Sequence, residues 1–155
     1  MTTLTVSSEI AAPVEQVFST FTDIEHVAQD VTGIRSIEVM TAGPFALGTR
    51  WREVREVPAG RLDDAVMEVT SFERNRTYTI THHKGPAKIE TVFSFEPAGA
   101  GTRVTIAYTL EGPGLPPALL SPLGWAISGK VREVLSRDLE DLKRAAERQT
   151  SQVAR

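Results

Sequence analysis

The chain has 155 residues, 17 Lys+Arg against 20 Asp+Glu, 41% apolar residues and no cysteine, the profile of one ordinary globular domain. A chain of this length buries roughly 70% of its unfolded surface, so it needs neither disulfides nor a structural metal, and the lack of Cys also removes thiolate ligands and cysteine nucleophiles. A formal charge of −3 with no basic run longer than Lys143-Arg144 speaks against nucleic acid as a partner, and the uncharged stretch from Gly112 to Gly129 is interrupted by Pro113, Pro116, Pro117 and Pro122, so no stable membrane insertion is expected. The opening Met-Thr-Thr-Leu-Thr lacks the basic and apolar regions of a signal peptide, which makes the cytoplasm the expected compartment.

Residues 3–10 alternate Leu4, Val6 and Ile10 with small polar residues, the period of a half-buried strand. Pro13 suits a helix start, and Val14, Val17, Phe18 and Phe21 follow at helical spacing, predicting a short helix to about Asp23. Ile24, Val27, Ala28 and Val31 repeat that spacing before Gly33, which predicts a second short helix. Period two then persists from Ile34, broken by turn residues at Gly43-Pro44, Gly48, Pro58 to Gly60, Asn75, Gly85-Pro86 and Pro97 to Gly101. Six strands are predicted, at 34–41, 49–57, 63–72, 76–83, 88–96 and 102–111, and the short loops favour antiparallel neighbours. Leu120, Leu123, Ile127, Val131, Leu135, Leu139, Leu142 and Ala146 step by three or four, a long helical stripe with i,i+4 ion pairs on its other face. Residues 149–155 lose the pattern and are expected to fray, leaving one domain over 1–148. A long apolar helix and a curved antiparallel sheet bury each other best when the helix crosses the concave face, with a cavity left between them.

Several segments, taken in order, resemble one family. They are Ile10-Ala-Ala-Pro-Val-Glu-Gln-Val-Phe18 with Asp23, Gly48-Thr-Arg-Trp-Arg-Glu53, Phe93-Ser-Phe-Glu-Pro97, Gly101-Thr-Arg-Val-Thr105 and Leu139-Glu-Asp-Leu-Lys143. Over residues 4–147 the chain resembles the START-like SRPBCC superfamily, and within it the polyketide cyclase/dehydrase and lipid transport branch. The resemblance implies an α+β helix-grip: a curved antiparallel seven-stranded sheet around a long C-terminal helix, with two short helices after the first strand and a ligand tunnel inside. It implies a small hydrophobic ligand, a lipid, polyketide or aromatic metabolite, either bound without chemistry or acted on by a cyclase/dehydratase-type enzyme. The chain departs from the branch where the second short helix often carries a tryptophan near a proline; here it reads Ile24-Glu-His-Val-Ala-Gln-Asp-Val31.

Strand alternation sorts side chains by face and names the expected tunnel wall. Its members are Trp51, Glu53 and Arg55 from the third strand, Met67 from the fourth, Tyr78 and His82 from the fifth, Phe93 and Phe95 from the sixth, and Tyr108 from the seventh, with Ile127 and Val131 from the helix. Glu53 and Arg55, two apart on one face, read either as a structural ion pair or as a polar handle for a ligand. His82, with a pKa suited to proton transfer, is a candidate general base, beside Glu53, Tyr78 and Tyr108. Adjacent His82 and His83 project to opposite faces and cannot chelate one ion, so no metal is expected. Gly99-Ala-Gly101 joins two strands with no helix behind it, so it reads as a hairpin and not a phosphate loop, and no cofactor is expected. Pro122, Gly124 and Gly129 near the start of the long helix read as a kink or as a movable gate over the tunnel.

Overall fold

A computed structural model describes residues 2–57, 60–112 and 122–153, with side chains of the last segment described from Gly129 to Ser151. β1 (Thr2–Ile10) passes through Pro13 into α1 (Val14–Thr22) and α2 (Ile24–Asp30). β2 (Ile34–Val39), β3 (Arg50–Val57), β4 (Arg61–Glu73), β5 (Thr77–Lys84), β6 (Ala87–Ala98) and β7 (Gly101–Glu111) follow, and then α3 (Pro122–Val153). The strands form one seven-stranded sheet in the order β1-β7-β6-β5-β4-β3-β2, antiparallel throughout. It is the helix-grip fold: the strands after α2 meander, and β1 returns to pair with β7.

The local causes are those the sequence predicts. Pro13 caps α1 with φ −62°, and its carbonyl accepts the Val17 N–H at 3.0 Å, a position where a proline loses nothing by lacking its own N–H. Gly99 at φ 60° opens the two-residue turn between paired Ala98 and Gly101, as primed hairpin turns require. Two residues on, the backbone of Gly101 lies so close to the Ile10 carbonyl that a Cβ there would collide with it. Gly101→Ala is therefore expected to cost about 1–3 kcal/mol, read as a lowered urea midpoint; an unchanged midpoint would show that β1 and β7 part without strain.

α1 lies over one end of the sheet. Phe18 and Phe21 meet Phe95 edge-on at centroid distances of 5.1 and 5.3 Å, and Phe18 also reaches Phe72 and Tyr78. α3 buries Leu135, Leu139, Leu142, Ala145 and Ala146 and is tied to β1 and to the junction that follows it. Arg132 Nη1 donates to the Thr5 carbonyl at 3.0 Å, and Glu147 Oε2 accepts the Ala11 N–H at 2.9 Å. The described helix begins at Pro122 and runs through Gly124 and Gly129 without a break; proline is tolerated in a first turn, and each glycine costs only about 1 kcal/mol. It also continues to Val153, past the point where the apolar stripe ends, with Gln149 anchored to Gln16 and Thr20 of α1. The centre of the segment weighed as a gate, residues 113–121, and the side chain of Ile127 lie outside the described residues.

Candidate functional site

Between the concave face of the sheet and α3 lies a cavity of about 400 Å³, within the size range of small-molecule sites. Alternation aims Trp51, Glu53, Arg55 and Val57 of β3 into it, with Ala65 and Met67 of β4, Ile80 and His82 of β5, Thr91 and Phe93 of β6, and Tyr108 of β7. α3 adds Val131, Val134, Leu135 and Asp138. Exposed Lys84 and Lys130 mark the mouth, and buried Glu53 marks the floor. Behind the floor a smaller chamber of about 90 Å³ shares Trp51, Glu53, Arg55, Phe93, Leu135 and Asp138 with the first and continues among Ile24, Val27, Val31 and Ile37. A wider cleft of about 570 Å³ lies elsewhere, by α1 and α2. Its lining carries exposed Glu15, Ser19, Asp23 and Glu25, so the more apolar cavity under α3 is the candidate site.

Nine of the expected wall residues meet there: Trp51, Glu53, Arg55, Met67, His82, Phe93, Tyr108 and Val131 line the large cavity, and Tyr78 lines the small one. Phe95 is a correction. It faces the right side of the sheet, but α1 covers that end, and Phe95 is 3% exposed in the core beside Phe18 and Phe21. Tyr78 is buried too, stacked on Phe93 at 4.7 Å, and its burial pushes the phenol far above its ordinary pKa, which makes it a packing group and no proton donor at neutral pH.

The floor is charged. Arg55 Nε donates to Glu53 Oε1 at 3.1 Å, and Arg55 Nη1 stands 2.8 Å from Asp138 Oδ2; Glu53 Oε2 accepts the Trp51 indole N–H at 3.3 Å. The Glu53–Arg55 pair expected from the sequence exists, but its third member, Asp138, comes from α3. The helical spacing carried a signal for it: Asp138 stands three residues after Leu135 and four before Leu142, on the inward stripe. Burial pushes the Asp138 carboxyl up to about 6; Arg55 opposes this, while Glu53 and Asp141 add to it. Desolvation pulls Arg55 down, but Asp138 and Glu53 outweigh it and the guanidinium is held above its ordinary value. Burial lowers the His82 pKa, favouring the neutral ring, and its Nδ1 is buried with no partner among the described residues. Burial also raises Tyr108.

These shifts have a sign. A carboxyl whose folded pKa lies above its unfolded value holds its proton longer when folded, so its contribution to stability falls as pH rises from about 4 to about 6. The difference is on the order of 2–3 kcal/mol for Asp138. Asp138→Asn should lose this pH dependence relative to the parent, as measured by urea unfolding at pH 4, 5, 6 and 7. Parallel curves for the two proteins would show that Asp138 titrates normally. His82 acts in the opposite sense, its share being lost as pH falls through about 6.5.

Other features are structural. Buried Asp141 accepts the Thr32 N–H at 3.0 Å and fastens the end of α2 to α3. His83 is exposed on the face opposite His82, and among the described residues no three His, Asp or Glu side chains are grouped to hold a metal. Nor, among them, is any helix long and apolar enough to cross a membrane.

Known structures share this architecture. A crystal structure of a Thermus thermophilus protein superposes with a TM-score of 0.78 at 23% identity, covering 94% of this chain and 97% of the other. The Zhui aromatase/cyclase of a Streptomyces species gives 0.79 at 14%, with 96% and 95% covered, and the ginseng (Panax ginseng) major latex-like protein 151 gives 0.74 at 14%, with 94% and 97% covered. At these identities the likeness is one of fold. No curated protein matches the chain. The sequence profile described as polyketide cyclase / dehydrase and lipid transport matches residues 1–147, and with the helix-grip fold and its apolar cavity in view the chain belongs to that family, within the START-like SRPBCC superfamily.

Proposed function

We propose that this protein, acting in the cytoplasm, binds a small hydrophobic molecule in the cavity between the sheet and α3, a lipid, polyketide or aromatic metabolite. The observation that carries the reading is the cavity itself: about 400 Å³, walled by Trp51, Met67, Ile80, Phe93, Val131 and Leu135, with the Glu53–Arg55–Asp138 cluster on its floor. An apolar volume of this kind beside a few convergent polar groups is the ordinary form of a ligand site. Organic extraction of the purified protein followed by mass spectrometry tests it directly. A single hydrophobic compound recovered in near-stoichiometric amount supports the reading. Failure of the apo protein to bind any hydrophobic probe would count against it.

A second reading, a cyclase/dehydratase-type enzyme acting on a polyketide-like substrate, is favoured by one observation: neutral His82, Glu53, Tyr108 and an Asp138 carboxyl near pKa 6 face one apolar space, where proton transfer at neutral pH is matched. Under this reading Glu53→Gln or His82→Ala should lower turnover roughly 10²–10⁴-fold with the fold intact. Under the binding reading the same variants change affinity by about tenfold for each lost charged hydrogen bond. Product formation followed over time with the extracted compound separates the two.

A further inference from the structure

The charge count on the cavity floor carries more than the presence of an arginine suggests. Arg55 alone would recruit a carboxylate, but it is already shared between two, Glu53 at 3.1 Å and Asp138 at 2.8 Å. With both ionised the trio is net negative. The trio is also well shielded: Glu53 is 8% exposed, and the Arg55 and Asp138 side chains are 21% and 16% exposed. Charges at such depth are weakly screened. The cations that balance the cavity stand at its mouth, where Lys84 is paired with Asp63 at 2.9 Å and Lys130 is exposed, and water screens both.

Resting on the ligand-binding reading above, we propose that this floor selects ligands whose buried end is an uncharged hydroxyl donor, a phenol or enol, and rejects those whose buried end is a carboxylate, so that a free fatty acid is excluded head-first. The floor offers carboxylate acceptors beside the remaining Arg55 N–H groups, and its net negative charge decides which ligand end it takes. Glu53 uses one oxygen on Arg55 and the other on Trp51, whereas Asp138, which lines the cavity, meets Arg55 through Oδ2 and has no hydrogen bond on Oδ1 among the described residues, so that this oxygen can take a proton donor from a ligand. An incoming carboxylate would bring a third negative charge against a single guanidinium and no proton to share.

The test uses three probes with one skeleton: 2-naphthol, 2-methoxynaphthalene and 2-naphthoate, titrated calorimetrically into the full chain at pH 7.5. Naphthol is expected to bind at least tenfold more tightly than naphthoate, with the methoxy compound between them. In Asp138→Asn the floor is neutral, and the naphthol-to-naphthoate ratio should fall at least tenfold. The groups facing Asp138 are Arg55 and Glu53 from β3 and Asp141 from its own helix, with His82 across the cavity on β5. Lowering the wild type to pH 5 should reduce the same ratio without any substitution, and repeating this in His82→Gln removes the other group that gains charge over that range. Equal binding of naphthol and naphthoate by the wild type would overturn the proposal while leaving the ligand-binding reading standing, as would a ratio that neither Asp138→Asn nor pH 5 moves. If none of the three probes binds, the ligand-binding reading falls and the proposal with it.

Discussion

Arg55→Met is expected to destabilise the protein by about 3–5 kcal/mol at pH 7.5, because the substitution leaves two shielded carboxylates facing each other with no cation between them. The cost should shrink at pH 5, where Asp138, whose carboxyl already sits near 6 with Arg55 present, takes up a proton and one of the two charges disappears. Adding Glu53→Gln and Asp138→Asn to Arg55→Met should restore most of the loss, since an ion cluster replaced as a whole by neutral groups of similar size is often tolerated. Urea unfolding of the single and triple variants at the two pH values measures all of this. A single variant as stable as the parent at pH 7.5 would mean that water reaches the trio and screens it.

The second large effect belongs to α3. Leu139 is 2% exposed, with Leu135 at 9% and Leu142 at 6%, and together they hold the helix to the core. Leu139→Ala should cost about 2–5 kcal/mol, the loss of transfer energy plus the void left behind. Leu62→Ala, at a residue 64% exposed, should change stability by no more than about 0.5 kcal/mol. The contrast in urea midpoints tests whether the helix is seated as described; similar midpoints would mean that the sheet holds itself together without it.

The order of elements was legible because two periodicities alternate cleanly along the chain: period two through β3 and β6, and steps of three and four through α1 and α3. Facing was legible for the same reason, which is why Trp51, Glu53, Arg55 and His82 converge as expected. The failures are of a different kind. Phe95 lies on the correct face but at the end that α1 covers, and alternation says which side of a sheet a residue takes, not what covers that side. Asp138 is missed when the helical stripe is read through its apolar members alone, although it stands on that stripe between Leu135 and Leu142 and is the partner that Arg55 requires. Charge on an inward face is thus the signal to follow across elements, since a buried ion must find its counterpart somewhere in the fold.

The pairing of β1 with β7 sets the schedule by which the molecule is made. Thr2 lies opposite Leu110 and Ile10 opposite Thr102, so on a ribosome the first strand waits for about a hundred residues before its backbone finds a neighbour, and separations of this size are what slow folding. α3 waits for the same event, since its anchors at Thr5 and Ala11 are on β1 and at the β1–α1 junction. The β2-to-β7 meander can assemble from neighbours as they emerge, whereas enclosure of the cavity is the last step. A nascent chain at that penultimate stage shows both an unsatisfied strand and the inner apolar face of the sheet, which makes it the species most exposed to aggregation.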